Sequence, residues 1–282
     1  MIFVTGAGGN VGRAVLDACR ARGLAAVGGE RRGGAHRRFD FEDRGTWGAA
    51  LQGCTRLFLL RPPPISKVEQ TLNPFVDFAR TRGVGHVVFL SVQGAESRPR
   101  IPHHAVEKHL ERTGDEWTFL RPGFFAQNFT DAYRADVAED DRVYVPAGKG
   151  EVAFVDVRDL GLVAARVFEA PAAHRRAGYR LTGPRCFTFD AASAVLSEVT
   201  GRPIRYVPAS VGGYLWHLVA RRRLSLMQAV IQTSLHVGLR HGDAAVVDPL
   251  LGQLLGQPAR DLERTLRDAG PGAWAKGVTG PG

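Results

Sequence analysis

Hydrophobic positions along the first part of the chain alternate between short apolar runs and stretches with helical spacing. Within residues 13–22 and 68–82, apolar residues recur on one helical face. Four apolar runs have the length of buried strands: 1–5, 24–27, 57–60 and 87–90. Strands that alternate with helices predict right-handed crossovers and a parallel sheet covered on both faces. The pattern therefore predicts an α/β fold.

The same alternation continues through the second half of the chain. Further predicted strands cover 117–120 and 152–155, and further predicted helices cover 104–112, 159–168, 189–200, 214–238 and 248–255. No internal repeat or low-complexity linker divides the sequence. We predict a single domain over residues 1–270, with a small lobe contributed mainly by 124–150 and 186–270. The Gly- and Pro-rich end, 271–282, is predicted to be a flexible tail.

Composition narrows the classes of protein that fit. The 282 residues are 44% hydrophobic, with three cysteines that form no C-x-x-C pair. This disfavours a disulfide framework and a thiolate metal site, and we expect no metal and a cytoplasmic location. The net charge is +9, yet the basic residues are scattered and almost all are arginines. We therefore expect neither a nucleic acid nor a membrane as a partner.

A glycine-rich turn lies between the first predicted strand and the first predicted helix. Glycines let a backbone approach a pyrophosphate closely, and the start of the next helix offers unpaired N–H groups. The spacing Gly6-x-x-Gly9-x-x-Gly12 differs from G-x-G-x-x-G, although Gly8 adds a fourth glycine. Its place between strand and helix favours a dinucleotide site over a purely structural turn. The predicted cofactor-binding residues are Gly6, Ala7, Gly8, Gly9, Asn10, Val11 and Gly12.

The residues after the second predicted strand bear on the choice between NADP and NAD. An acid at this place binds the ribose hydroxyls, whereas arginine accommodates a 2′-phosphate. The sequence offers both, since Glu30 is followed by Arg31 and Arg32. Two adjacent guanidinium groups favour NADP, with NAD as the alternative, unless they form only a solvated turn. Asp40 is either a contact for the adenine or a surface acid.

Residues that follow other predicted strands are further candidates, because ligands of parallel sheets bind beyond the carboxyl ends of the strands. Ser91 follows 87–90, and Leu60 and Arg61 end 57–60. We predict that all three contact the cofactor, the alternative being a role in turning or ending the strand. Phe124 and Phe125 follow a later strand and either cover a flat ring or pack in the core.

Several sequence blocks are informative together. They are Val4 to Gly12, Val87 to Ser91, Trp117 to Asn128, Phe154 to Leu160, and Tyr179 to Pro184. In this order they resemble the NmrA-like branch of the atypical short-chain dehydrogenases/reductases, and the resemblance spans most of the chain. It implies a Rossmann-type doubly wound parallel sheet with a small C-terminal substrate-binding lobe.

The resemblance also implies where ligands bind. It places a nicotinamide near Ser91, Lys108 and the segment that contains Phe124, Phe125 and Asn128, which we expect to contact the substrate. Members of the family include quinone, azo-dye and isoflavone-type reductases. They also include non-enzymatic proteins that sense the cofactor and bind a partner.

Position 104 departs from the pattern of ordinary short-chain dehydrogenases. These enzymes place a Tyr four residues before a Lys, so that the two share a helical face and the lysine lowers the pKa of the phenol. Here the residue four positions before Lys108 is His104. Since an imidazole can transfer a proton near neutral pH, His104 is a candidate catalytic acid and Lys108 a candidate ligand of the cofactor ribose. A structural or solvated histidine is the alternative.

Together these features predict an NAD(P)H-dependent oxidoreductase that transfers hydride to a small aromatic or quinone-like substrate. The alternative is a non-enzymatic NAD(P)-sensing regulatory protein that binds a protein partner. The helical segment 215–236 carries Arg221 to Arg223 beside apolar residues. It is interpreted either as a basic amphipathic membrane helix or as a lid over the substrate pocket, and we favour the lid.

Overall fold

The computed structural model describes residues 1–114 and 116–276. The strands are β1 (Ile2–Thr5), β2 (Ala26–Glu30), β3 (Arg37–Arg38), β4 (Arg56–Leu60), β5 (His86–Leu90), β6 (Trp117–Pro122), β7 (Arg142–Val145), β8 (Glu151–Val152), β9 (Ala177–Leu181), β10 (Phe187–Thr188) and β11 (Arg205–Pro208). The helices are α1 (Asn10–Ala21), α2 (Trp47–Ala50), α3 (Leu72–Thr81), α4 (Pro102–Thr113), α5 (Arg134–Asp140), α6 (Val157–Glu169), α7 (Pro171–His174), α8 (Phe189–Thr200), α9 (Val211–Trp216), α10 (Leu226–Gly238), α11 (Leu250–Leu255) and α12 (Leu262–Ala269).

The chain forms two compact units. The first unit contains residues 1–122, 157–181 and 250–257, and the second contains 123–156, 182–249 and the residues from 258 onward. The stretches predicted to supply the lobe fall largely in the second unit, but 250–257 belongs to the first. Among the described residues, no helix is long and apolar enough to cross a membrane.

The first unit is built on a seven-stranded sheet with the order β3-β2-β1-β4-β5-β6-β9. All neighbouring strands in this sheet are parallel. The strand order reverses between β1 and β4, so the carboxyl ends of these two strands flank a topological switch point, where sheets of this type bind ligands. The predicted doubly wound α/β fold is confirmed.

Alternating residues of the strands serve opposite faces of this sheet. Phe3, Leu57 and Phe89 belong to a buried cluster that also takes in apolar residues of α2, α3 and α4. Val4 and Phe58, which alternate with them, are also fully buried. Both faces are therefore covered, as the uninterrupted apolar runs predicted.

The second strand extends further than its apolar residues suggested. The apolar pattern predicts this strand over residues 24–27, but β2 runs from Ala26 to Glu30. Only glycine fits at positions 28 and 29 of the strand. A Cβ on Gly28 would overlap Ala7, and a Cβ on Gly29 would overlap the Phe3 ring. The extension matters because it brings Glu30 to the carboxyl end of the strand.

Two predicted helices are interrupted. The predicted helix 68–82 begins as a 3-10 turn, and α3 starts only at Leu72, since the ring of Pro74 would clash with the carbonyl of Gln70 in a continuous helix. The predicted helix 214–238 divides into α9, a π-helical turn at His217–Arg221 and α10. Ser225 begins α10 afresh, because its hydroxyl and the side chain of Gln228 form a capping box.

The second unit has a core of aromatic rings and two small sheets. β7 pairs with β11 in parallel and β8 pairs with β10 antiparallel. The strand predicted at 152–155 is shorter, with Val155 forming only an isolated bridge to Phe125. The rings include Phe129, Phe154 and Phe189.

The prediction that a flexible tail begins at residue 271 is wrong. Pro271–Trp274 forms a 3-10 turn, and Trp274 is buried. Its indole N–H donates to the carbonyl of Phe129 at 2.8 Å, which fastens this end of the chain to the aromatic core. The rest of the predicted tail, 277–282, lies outside the described residues.

Candidate functional site

The turn after β1 brings the glycine backbone against the start of α1. Gly6 has a φ of +66°, a left-handed conformation that favours glycine, and the N–H of Gly9 donates to its carbonyl at 3.0 Å. A Cβ on Gly12 would overlap this same carbonyl oxygen. Gly9 is the N-cap of α1 and offers no side chain to it, and the first turn of α1 contains no acidic residue. The turn and the helix start therefore form a cradle suited to an anion.

The end of β4 lies beside this cradle. The hydroxyl of Thr5 accepts a hydrogen bond from the N–H of Leu60 at 2.8 Å, which ties β1 to β4 at their carboxyl ends. The side chain of Leu60 covers Gly6, since a Cβ there would lie 3.1 Å from Leu60 Cδ2. The structure thus brings Leu60 and the glycine turn together, and the predicted contact of Leu60 with the cofactor stays a prediction.

Arg61 is occupied by protein partners. Its guanidinium donates to the carbonyls of Pro62 and Pro63 at 3.2 and 3.1 Å and to that of Ile65. Its Nε donates to Nε2 of His103 at 3.3 Å. Burial, with the charge of Arg61, lowers the pKa of His103 to about 3, so His103 is a neutral acceptor. In this arrangement Arg61 fastens its own loop to α4, and its predicted contact with the cofactor stays a prediction.

The end of β2 presents an acid to the glycine turn. A Cβ on Gly8 would lie 3.1 Å from Oε2 of Glu30, so the carboxylate lies directly beside the cradle. Arg31 and Arg32 follow it, and both are exposed. Neither forms an ion pair with any residue in the described part of the chain. An acid for ribose hydroxyls and two available guanidinium groups therefore occur next to each other.

Asp40 has a local structural role. Its Oδ1 accepts the N–H of Glu42 at 3.0 Å, and its carbonyl accepts the indole N–H of Trp47 at 2.8 Å. These bonds shape the turn after β3. The predicted contact of Asp40 with an adenine stays a prediction.

Ser91 is the most informative residue after β5. It is 1% exposed, and its N–H donates to the carbonyl of Leu120 at 2.8 Å. Its hydroxyl, however, has no hydrogen-bond partner among the described residues. A buried hydroxyl left without a partner destabilises a protein by about 1–3 kcal/mol. A polar ligand at the carboxyl edge of the sheet would provide the missing partner.

The two candidate catalytic residues lie on α4. Nδ1 of His104 donates to the carbonyl of Ala95 at 2.8 Å, so a neutral His104 carries its proton there and presents a lone pair at Nε2. Lys108 is exposed, and its ammonium pairs with Glu111 at 2.7 Å. The structure therefore places the pair on one helix, with the lysine on the helix surface.

The predicted substrate residues belong to the second unit. The backbone of Phe124 and Ala126 exchanges hydrogen bonds with Val155 at 2.8 and 2.9 Å. The ring of Phe124 packs edge-on against His236, with ring centroids 5.9 Å apart. The carbonyl of Asn128 accepts the N–H of Tyr133 at 2.8 Å.

The sequence did not single out Tyr133 and His236. The hydroxyl of Tyr133 lies 2.6 Å from Nε2 of His236, whose Nδ1 donates to the carbonyl of Gln232 at 2.7 Å. The tyrosine is therefore the donor. Burial lowers the pKa of His236 to about 4 and raises that of Tyr133, so the pair is neutral. No spacing in the sequence links residues so far apart in the chain.

The residues at the edge of the sheet fit a nicotinamide dinucleotide. Gly12 lets the start of α1 pack directly against the Gly6 carbonyl, α1 begins without a side-chain cap, and the buried hydroxyl of Ser91 has no partner among the described residues. Because β1 and β5 are strands of one parallel sheet, their carboxyl ends lie at the same edge. A dinucleotide has both a pyrophosphate for the helix start and polar groups for the hydroxyl.

Comparisons with known proteins agree with this fold. A family model described as the NmrA-like family matches residues 38–233. The chain is 32% identical over 226 residues to an NAD(P)H azoreductase of Xenophilus azovorans, which covers 73% of this chain and 76% of that protein.

Solved structures are similar over almost the whole chain. A triphenylmethane reductase of Citrobacter sp. complexed with NADP(H) superposes with a TM-score of 0.80 at 25% identity, covering 95% of this chain and 100% of that one. An NADPH-dependent quinone oxidoreductase of Escherichia coli gives a TM-score of 0.78 at 25% identity, covering 95% and 99%. With the family match and the parallel sheet, these likenesses establish that the chain belongs to the NmrA-like family.

Proposed function

We propose that the chain is an NAD(P)H-dependent oxidoreductase that delivers hydride to a small aromatic or quinone-like acceptor. The observation that carries the proposal is the buried, unpartnered hydroxyl of Ser91 at the sheet edge that also holds the Gly6–Gly12 cradle. The names of its relatives support the class of acceptor, since they include an azoreductase and a quinone oxidoreductase.

The residues of the first unit have separable roles in this proposal. The bound cofactor supplies the hydride. The N–H groups at the start of α1 bind its pyrophosphate, and Leu60 and the glycine turn shape the surface against which it lies. Ser91 completes its hydrogen bonding with the cofactor. Correct placement of the two reactants can contribute much of the rate of hydride transfer without a specialised acid.

Reduction of a quinone consumes one proton in addition to the hydride. His104 can donate this proton only from Nε2, and only when the ring is doubly protonated, because the Nδ1–H is already hydrogen-bonded to the carbonyl of Ala95. Lys108 must leave Glu111 before it can contact a ribose. The proposed roles of His104 as acid and Lys108 as ribose ligand therefore require a charged imidazole and a rotated lysine.

Substitution of the orphaned hydroxyl tests the proposal. Ser91→Ala removes an unsatisfied buried group, so the protein without cofactor should be as stable as the wild type or more stable. Calorimetric titration should nevertheless show weaker binding of NADPH, by about 5- to 15-fold for one lost hydrogen bond. Ser193→Ala is the matched control, because Ser193 is also buried with an unpartnered hydroxyl but lies on α8 of the second unit. It should leave the affinity for the cofactor unchanged.

The same titrations, followed by addition of quinones and azo dyes, distinguish the two candidate functions. Binding with loss of NADPH absorbance supports the oxidoreductase. Tight binding without turnover of any acceptor would favour a cofactor-sensing regulator instead. Absence of binding to both NADPH and NADH would overturn the assignment of Gly6–Gly12 as a cofactor cradle.

A further inference from the structure

Helix α10 is amphipathic, but its large apolar residues lie on the exposed face. Its inward face consists of Ala229, Thr233 and His236, all buried. Its outward face is apolar and consists of Leu226, Met227, Val230, Ile231 and Leu235, with relative exposures between 47% and 70%. We call these five residues the outer face of α10. At 100° per residue they span one half of the helix.

The segment before α10 extends this apolar surface. Trp216 is 65% exposed and Val219 is 38% exposed, one turn further along the chain. Between them, His217 and Leu218 point inward, and His217 pairs with the buried Asp136 at 3.0 Å. The inward contacts anchor the π-helical turn and leave the tryptophan outside. Clustered apolar residues of this extent on a protein surface usually mark a binding site.

Arg223, in the connection between the π-helical turn and α10, is held in an unusual conformation. Its φ is +59°, in the left-handed region that disfavours residues with a Cβ. Its side chain is exposed and forms no ion pair with the described residues. Strained residues of this kind cluster at functional sites.

The stretch of chain that carries this apolar surface contains only basic charged residues. Residues 199–242 contain six arginines and no aspartate or glutamate. Acidic residues reach the segment from α5, where Asp136 and Glu139 pair with Arg222 and Asp140 lies 3.9 Å from Arg221. Arg223 retains its uncompensated positive charge beside the outer face of α10.

We infer that the outer face of α10, with Trp216, Val219 and Arg223, docks on the surface of an anionic lipid bilayer. An uncharged apolar helix face enters the boundary between headgroups and acyl chains, an exposed tryptophan suits the headgroup level, and an unpaired arginine meets lipid phosphates. A second copy of the chain fits less well, because a two-fold contact pairs this surface with itself and residues 199–242 contain no acid to meet Arg223. This inference departs from our expectation that the chain has no membrane partner and adopts the amphipathic-helix alternative for residues 215–236.

Vesicle binding by the purified full-length chain tests this inference. We expect co-sedimentation with vesicles of phosphatidylcholine and phosphatidylglycerol, little with phosphatidylcholine alone, and loss of binding as salt is raised. Met227→Ser combined with Ile231→Ser should weaken binding at least tenfold. Val246→Ser combined with Val247→Ser, at apolar residues outside the helix that are 40% and 44% exposed, should not weaken binding.

Arginine-to-glycine substitutions provide a test that unfolding cannot mimic. Arg223→Gly relieves the left-handed backbone and removes the charge, so it should raise or preserve stability while weakening binding to anionic vesicles several-fold. Arg176→Gly is the matched control, because Arg176 is also an exposed arginine with a left-handed φ, +56°, but belongs to the first unit. It should leave vesicle binding unchanged.

Three results would overturn the inference. They are absence of binding to anionic vesicles, binding that Arg223→Gly and the double serine variant leave unchanged, and a dimer that the double serine variant dissociates without any vesicle binding. All measurements are made without cofactor or acceptor, so they stand apart from the outcome of the proposed reaction.

Discussion

Gly12 is the position at which one added methyl group tests the cradle most directly. Its Cβ would overlap the Gly6 carbonyl, so Gly12→Ala must move the turn away from the start of α1. We expect the affinity for NADPH to fall at least tenfold and the free energy of unfolding to fall by about 1–3 kcal/mol. Calorimetric titration measures the affinity, and urea unfolding measures the stability.

Gly48→Ala is the control for that substitution. Gly48 lies in the short helix α2, and a Cβ there would meet no atom within 4 Å. The Gly48→Ala variant should bind NADPH as the wild type does and should be slightly more stable than the wild type, since alanine favours a helix. Equal effects of the two alanines would contradict the structural account of the cradle.

The proposed site predicts that Glu30, Arg31 and Arg32 set the preference between the two cofactors. Because the carboxylate lies beside the cradle, it favours ribose hydroxyls and repels a 2′-phosphate. We expect Glu30→Gln to raise the ratio of NADPH to NADH affinity by about 5- to 50-fold, and Arg31→Ala with Arg32→Ala to lower it. Titration of each variant with both cofactors measures the ratio. A ratio that no variant changes would show that the end of β2 does not contact the ribose.

The sequence predicts the role of a residue where that role requires one residue type at one place in the chain. The glycines of the cradle and the acid Glu30 were visible because backbone geometry and strand position demand those residue types. Ser91 was a candidate from its position after a predicted strand, but only the structure shows that its hydroxyl is buried and has no partner among the described residues. Arg61 looked like a ligand residue, yet three backbone carbonyls of its own loop accept its hydrogen bonds.

Helix α4 is joined to β6 by a buried ion pair. Arg121 donates through Nε and Nη2 to the two carboxylate oxygens of Glu107 at 2.9 and 2.8 Å, and the Glu107 side chain is 1% exposed. Glu107→Ala would leave the mostly buried guanidinium with the more exposed Glu96, 3.4 Å away, as its remaining acidic partner. We expect it to lower the free energy of unfolding by up to about 3 kcal/mol. Urea unfolding measures this loss.

The double variant separates the ion pair from simple packing. Glu107→Leu with Arg121→Leu removes both charges from the same place, and it should recover most of the stability that the single change loses. A double variant as unstable as Glu107→Ala would indicate that side-chain volume, and not the uncompensated charge, accounts for the loss.

Boundaries of strands and helices were predictable wherever residue pattern and packing agreed. Helix α8 begins and ends at the predicted residues because Thr188 caps it and Gly201 ends it in a left-handed conformation. The continuous helix predicted across 214–238 was wrong, because apolar periodicity does not reveal the restart at Ser225 or the left-handed Arg223. Nor does periodicity distinguish an apolar face that points inward from one that points outward, as on α10.

Both units contain histidines that folding keeps neutral. Burial lowers the pKa of His86 to about 4, of His103 to about 3 and of His236 to about 4. An unfolded histidine has a pKa near 6.5, so the unfolded chain binds more protons than the folded chain between about pH 4 and pH 6.5. Stability should therefore be complete above about pH 6.5 and decrease as the pH falls below it.

The contribution of one histidine to this acid sensitivity can be measured separately. His86 should account for about 3 kcal/mol of the loss between pH 7 and pH 4. His86→Gln should flatten the dependence of the unfolding free energy on pH by about that amount, whereas substitution of the exposed His241 to Gln should leave it unchanged. An unaltered slope for His86→Gln would contradict the pKa assignment.

The chain enters and leaves the first unit repeatedly, and this has a consequence for synthesis. β6 and β9 are neighbours in the sheet, yet residues 123–176 separate them, and α11 joins the same unit only at Leu250. While the nascent chain emerges from the ribosome, β6 is an open sheet edge, and such edges pair readily with other chains. β9 pairs with β6 over contacts of high sequence separation, which slows folding. During synthesis the edge of β6 should therefore stay exposed until β9, at residues 177–181, has been translated.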